Sequence, residues 1–141
     1  MTSAGVTYKR ILFATDFSDP SNAALEWALE FARACEGKLD IVHVLTPDGG
    51  YHATAEKKLP GLVGEDDAHL VERSRAVRAI SAEIGIIHTA REDGADLIVV
   101  GTHGRSGLRH VFIGSTAEHV VQLAPCPVLT VREPGHDFVK P

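Results

Sequence analysis

Short apolar runs alternate along the chain with longer segments in which apolar residues recur every three or four positions. The runs predict strands at residues 11–14, 40–45, 76–80, 97–100 and 128–131. The run at 97–100 contains no polar residue, which is typical of a strand buried on both faces of a parallel sheet. The pattern therefore predicts a sheet whose central strands lie between layers of helix.

Helical spacing of apolar residues predicts helices between these strands, at about residues 20–35, 65–74, 81–91 and 115–123. The first helix is expected to have Asp19 as its N-cap and Pro20 at its first position, and to end before Gly37. The segment 47–73 is rich in proline and glycine, which predicts a variable surface segment before the short helix. The tail 132–141 has no periodic pattern and is expected to be a flexible end of the chain.

The alternation of strand and helix predicts a single α/β domain over residues 1–141, since 141 residues suffice for one core. The expected architecture is a five-stranded, mostly parallel, Rossmann-like sheet with helices on both faces. In such sheets ligands bind beyond the carboxyl ends of the strands. Asp16, Val44 and Gly101 end or follow three different strands, so we expect them to meet in one crevice.

The segment from Gly101 to Thr116 carries the features of an anion site. Gly101 and Gly104 lack side chains where a strand ends, so backbone N–H groups can lie against a bulky anion. Residues 115–118, Ser-Thr-Ala-Glu, match a capping box and predict a helix N-terminus, which binds phosphate well. The alternative is that the glycines only make a turn and the capping box only begins a helix.

The charges of this segment favour an anionic ligand. The whole chain has a formal charge of −5, yet residues 102–113 contain two arginines and two histidines and no acid. The glycine spacing is not GxGxxG, and no Lys-Ser/Thr pair closes a P-loop, so neither a dinucleotide fold nor a P-loop kinase is predicted. The acidic balance of the remaining chain disfavours nucleic acid as a partner.

The sequence also bears on the compartment of the protein. No apolar run approaches the length of a membrane span, and the first residues lack the apolar stretch of a signal peptide. Cys35 and Cys126 form no CxxC pattern and are expected to be buried free thiols, as is common in a reducing cytosol. We therefore expect a cytoplasmic protein that has no membrane partner.

The spacing Gly101-x2-Gly104-x9-Gly114-Ser115 resembles the glycine signature of the ATP-binding members of the universal stress protein family. Residues 8–18, 41–44, 95–101 and 126–131 are also similar to segments of that family, in the same order. The resemblance covers about residues 8–46 and 80–132. Two departures are that Ala14 stands where many ATP-binding relatives have proline, and that the segment 47–80 is shorter than is usual in the family.

The resemblance implies a nucleotide site for ATP, with Mg²⁺ or Mn²⁺ carried only by its phosphates. By resemblance, the Asp16 carboxylate accepts hydrogen bonds from the ribose hydroxyls, although the alternative is that Asp16 only caps the entry to a helix. The Val44 backbone is expected to contact adenine, with Ala14 and Val100 lining an apolar slot. The residues expected around the phosphates are Gly101, Gly104, Arg105, Gly114, Ser115 and Thr116. The resemblance also implies a homodimer that pairs through the edge strand 128–131.

The function predicted on this basis is that of a nucleotide-responsive stress or signalling module. Two alternatives stay open: slow hydrolysis of ATP or another nucleotide in the same crevice, and a dimeric interaction protein that binds no nucleotide. The intact glycine series argues against the second alternative. We assign no catalytic residue, because a serine and a histidine in one loop do not establish a dyad. The eight histidines show no ligand spacing, so no protein-held metal site is predicted.

Overall fold

A computed structural model describes residues 7–48, 52–102 and 114–132 of the chain. Five strands form one sheet: β1 (Arg10–Ala14), β2 (Lys38–Leu45), β3 (Val71–Arg78), β4 (Leu97–Gly101) and β5 (Val128–Val131). Their order is β3-β2-β1-β4-β5, and every pairing is parallel. The predicted α/β class is confirmed, and β5 lies at an edge of the sheet as expected.

Helices cover both faces of this sheet, as the pattern predicts. They are α1 (Asp19–Cys35), α2 (His52–Lys58), α3 (Ala82–Asp93) and α4 (Ser115–Leu123), with short 3-10 turns at Leu59–Gly61 and Glu65–Leu70. Since neighbouring strand residues point to opposite faces, β1 contributes Ile11 and Phe13 to the core under α1. It contributes Leu12 and Ala14 to a second core under α3 and α4. Apolar burial on both sides thus explains the uninterrupted runs of the central strands.

The start of α1 differs from the prediction by one residue, whereas its end at Cys35 agrees with it. Ser18, in extended backbone geometry, is the N-cap and accepts a hydrogen bond from the Ser21 N–H, so Asp19 lies in the first turn instead. There its carboxylate interacts favourably with the helix dipole. At the other end, Glu36 adopts the left-handed conformation with φ 52°, and Gly37 follows it.

The predictions of a helix at residues 65–74 and of a third strand at 76–80 were wrong. Residues 65–70 form a 3-10 turn, and β3 then runs from Val71 to Arg78, so it begins five residues earlier than expected. This strand lies at the second edge of the sheet, and four of its eight residues are charged: Glu72, Arg73, Arg75 and Arg78. Charge on an edge strand discourages pairing with other chains, and it also hides the apolar pattern of a strand.

The two cysteines and the tryptophan are at least partly exposed. Cys35 and Cys126 are free, as expected, but half-buried rather than fully buried. Trp27 is 55% exposed on α1. The predictions for residues 103–113 and for the tail after Arg132 lie outside the described residues.

Candidate functional site

A cavity of about 220 Å³ opens at the carboxyl ends of β1, β2 and β4, on both sides of the central strand where the strand order reverses. Ligands of doubly wound α/β proteins bind at this position. Eight of the ten residues predicted for the site line the cavity: Ala14, Asp16, Val44, Val100, Gly101, Gly114, Ser115 and Thr116. The other two, Gly104 and Arg105, lie outside the described residues.

The cavity also has lining residues that the sequence did not single out. They are Thr15, Ser21, His43, Ala82, Ile86 and Ala117. Thr15 and His43 are adjacent in sequence to predicted site residues at the ends of β1 and β2, so their place in the cavity could have been predicted from the sequence. Ala82 and Ile86 belong to α3, and only the packing of that helix against β2 brings them to the site.

The loop between β1 and α1 holds the Asp16 carboxylate in a defined orientation. Its Oδ1 accepts hydrogen bonds from the Ser18 N–H at 2.9 Å and from the Ser21 hydroxyl at 2.7 Å. The Asp16 N–H donates to the Ser21 Oγ at 3.3 Å. Asp16 therefore takes part in the entry to α1 and also lines the cavity, so the two roles weighed for it are compatible.

One wall of the cavity is an apolar slot made by Ala14, Val44, Val100, Ala82 and Ile86. The distance between α3 and β2 is set by Gly85, since an added Cβ there would lie 2.7 Å from both methyl groups of Val44. That is well inside van der Waals contact. The slot is thus shaped by close backbone approach as well as by its side chains.

The opposite end of the cavity is formed by the N-terminus of α4. Gly114 is the N-cap, with φ −70° and ψ 158°, and as a glycine it has no side chain that could cap this helix. The predicted capping box is therefore wrong, because Ser115 takes the first helical position and Glu118 the fourth. A glycine cap supplies no side-chain acceptor of its own to the first-turn amide groups of α4, and such amides together with the helix dipole suit an anion.

The packing of α1 gives a second reason for a glycine at position 101, besides the predicted approach of a ligand to the backbone. A Cβ at Gly101 would lie 2.8 Å from the carbonyl carbon of Pro20 and 2.9 Å from its oxygen. The first turn of α1 packs directly against the end of β4, which requires glycine even when no ligand is bound. Gly101 still lines the cavity, so the packing and the site share this residue.

Residues 7–48, 52–102 and 114–132 contain neither a metal-binding cluster nor a membrane-spanning helix. No three His, Cys, Asp or Glu side chains are grouped so that they could hold a metal ion. No helix in these ranges has both the length and the apolar character needed to cross a membrane.

Comparison with known proteins identifies the family. The sequence model of the universal stress protein family matches residues 7–132. The chain belongs to this family. The universal stress protein described here is 32% identical over 144 residues to universal stress protein MJ0531 of Methanocaldococcus jannaschii, covering 90% of this chain and 84% of that one. It is 31% identical over 152 residues to YxiE of Bacillus subtilis, covering 89% and 99% of the two chains.

Solved structures share the fold of this universal stress protein. The structure of MJ0577 has a TM-score of 0.80 at 27% identity, and the match covers 90% of this chain and 97% of that one. A universal stress protein in complex with cAMP has a TM-score of 0.71 at 28% identity, covering 90% and 98%. The protein from Archaeoglobus fulgidus in complex with dAMP has a TM-score of 0.66 at 25% identity, covering 90% and 99%.

Proposed function

We propose that this chain binds ATP in the crevice at the carboxyl ends of β1, β2 and β4, and acts as a nucleotide-responsive module of the stress response. The observation that carries the proposal is the composition of one cavity. It contains an apolar slot, a carboxylate held by two donors, and a helix N-terminus whose N-cap is a glycine. These are the groups that adenine, ribose and phosphate each require. The relatives solved with cAMP and dAMP support an adenine nucleotide as the ligand.

In this proposal each wall of the cavity binds one part of the nucleotide. Adenine lies in the slot between Ala14 and Val100 and contacts the Val44 backbone. Asp16 accepts hydrogen bonds from the ribose hydroxyls. The phosphates interact with the N-terminus of α4 and with the loop after β4, through the set Gly101, Gly104, Arg105, Gly114, Ser115 and Thr116. Mg²⁺ or Mn²⁺ is carried by the phosphates and needs no group of protein ligands.

We also propose that the protein is a cytoplasmic homodimer that pairs through β5. The strand lies at the edge of the sheet, and only Val131 of its four residues is fully buried. An exposed strand edge readily pairs with another chain. Sedimentation velocity over a range of concentrations tests this, and a mass that stays at one chain throughout would contradict it.

Titration calorimetry with ATP, ADP and AMP tests the nucleotide proposal directly. We expect binding of ATP, and weaker binding by Asp16→Asn, because the substitution removes a charge that strengthens hydrogen bonds from the ribose. The loss is expected to be about threefold to tenfold. Asp66→Asn is the matched control, since Asp66 is exposed and does not line the cavity. ATP binding no tighter than millimolar by the unchanged protein would refute the proposal.

Phosphate release distinguishes binding from slow hydrolysis. We propose binding without significant turnover, and the informative variant is Gly114→Asp, which places a negative charge at the α4 N-terminus. ATP affinity is expected to fall because the new carboxylate repels the phosphates. Release of phosphate by the unchanged protein that is lost in Gly114→Asp would favour the hydrolase alternative instead.

A further inference from the structure

His43 lines the nucleotide cavity at the carboxyl end of β2, and none of the roles proposed above uses its side chain. Its Nδ1 lies 2.7 Å from the carbonyl oxygen of Thr15. A carbonyl only accepts hydrogen bonds, so Nδ1 must carry a proton, and Nε2 is the nitrogen with the free electron pair in the neutral ring. The hydrogen bond therefore fixes both the tautomer and the orientation of the imidazole.

The same histidine packs against a residue with a strained backbone. Its ring centroid lies 4.7 Å from that of Phe17, with 36° between the ring planes. Phe17 has φ 66°, and the left-handed conformation is unfavourable for a residue with a side chain. The ring contact with His43, together with the Lys58 ammonium 5.4 Å above the Phe17 ring, helps to offset this cost.

The two contacts of His43 lie on either side of Asp16. The Thr15 carbonyl and the Asp16 N–H belong to one planar peptide unit, so holding one end of the unit orients the other. His43 donates a hydrogen bond to the Thr15 carbonyl oxygen of this peptide unit. The Asp16 N–H at the other end of the unit donates to the Ser21 hydroxyl oxygen at 3.3 Å. The peptide that leads into Asp16 is thus held at both ends, and the residue after Asp16 is packed on the same imidazole.

We infer that His43 is a positioning residue for ribose recognition, which it performs by holding the Thr15–Asp16 peptide and Phe17 so that the Asp16 carboxylate is oriented in the cavity. The inference rests on the proposed nucleotide function. His43 acts in this way through Asp16 and needs no direct contact with the nucleotide. Without the Nδ1 donor, the Thr15 carbonyl loses this contact, and the peptide and the Asp16 carboxylate are held less firmly in the orientation that suits the ribose hydroxyls.

The test compares ATP with 2′,3′-dideoxy-ATP, which lacks both ribose hydroxyls, by calorimetry on the full chain. The unchanged protein is expected to prefer ATP. His43→Leu removes the donor and should lose most of this preference, with ATP binding weakened about threefold to tenfold and dideoxy-ATP binding changed less than about twofold. His43→Asn should retain the preference, because the asparagine Nδ2 can donate from nearly the position of the imidazole Nδ1.

Two further variants keep the test decisive. His88→Leu is the control, since His88 is exposed on α3 and does not line this cavity. Should His43→Leu fail to fold by circular dichroism, His43→Gln replaces it, because its amide lies one bond further out and should also lose the preference.

The outcomes separate the inference from the function on which it rests. An unchanged protein that binds neither nucleotide refutes the proposed function, and the inference with it. An unchanged protein that binds both equally retains the function and overturns the inference. The inference also fails if the preference survives in His43→Leu and His43→Gln. Equal weakening of both nucleotides in these variants overturns it as well, because that is the result of a general structural role.

Discussion

Replacing Gly101 by alanine is expected to destabilise the protein in the absence of any ligand. The new Cβ would lie 2.8 Å and 2.9 Å from the carbonyl carbon and oxygen of Pro20, and 3.0 Å from the Ser21 nitrogen. Carbon atoms attract best at about 3.5–4.0 Å, so the first turn of α1 must retreat by about half an ångström or more. All three neighbours are backbone atoms, and no side-chain rotation relieves the contact. Overpacking of this kind costs about 1–3 kcal/mol.

Urea unfolding of the ligand-free protein measures this effect. Gly64→Ala is the matched control, because nothing lies within 4 Å of an added Cβ there and its φ of −71° suits alanine. The control is expected to unfold at the same urea concentration or a slightly higher one. If Gly101→Ala matched Gly64→Ala in stability and lost only nucleotide affinity, the packing argument would be wrong, and the glycine would be required by the ligand alone.

Three further predictions concern stability away from the cavity, each measured by urea unfolding. Glu36→Gly should raise the free energy of unfolding by up to about 1 kcal/mol, since it relieves a left-handed residue at φ 52°; a loss would contradict this. Asp93→Ala should cost about 1–3 kcal/mol, because its carboxylate is 18% exposed and pairs with two arginines of β3. The control Glu92→Ala removes a carboxylate that is 65% exposed, and its free energy of unfolding should stay within about 0.5 kcal/mol of the unchanged protein. Equal losses in the two variants would refute the distinction between the buried and the exposed carboxylate. Burial, followed by the Asp96 carboxylate, raises the pKa of the Cys126 thiol. The unfolded thiol then ionises first, so stability should fall as pH rises above about 8.5, and less so in Cys126→Ser; identical pH profiles would contradict this.

The central strands and the edge strand β5 could be predicted well from the sequence, and the edge strand β3 could not. The strands β1 and β4 lie between two helical layers, so almost every position is apolar and the run is visible without any structure. Their carboxyl ends meet in any parallel sheet, which is why the positions of Asp16 and Gly101 in one crevice could be predicted. The strand β3 has no neighbouring strand along one edge, and half of its residues are charged, so an apolar run does not mark it and its formation depends on pairing with β2.

One-residue errors at helix ends have a different physical origin. Ser18 and Asp19 both have side chains that can cap a helix, and the choice depends on which residue takes extended backbone geometry. At α4 the extended backbone geometry occurs at Gly114, which is therefore the N-cap, although serine is a better capping residue type than glycine. The hydrogen bond from the Gly114 N–H to the Thr102 carbonyl joins the helix start to the end of β4, a tertiary contact that no local pattern contains.

That a residue lies in the cavity does not show that the ligand requires it, so the two must be tested separately at this site. Gly101 lies in the cavity as its motif predicts, yet the packing of α1 against β4 already requires a glycine there. Asp16 likewise lies in the cavity, yet its Oδ1 also holds the entry to α1. Removing the whole Asp16 side chain would disturb folding and binding together. Asp16→Asn retains an oxygen that can accept from Ser18 and Ser21 and removes only the charge, so a loss of ATP affinity in a variant of unchanged stability would be due to ligand recognition.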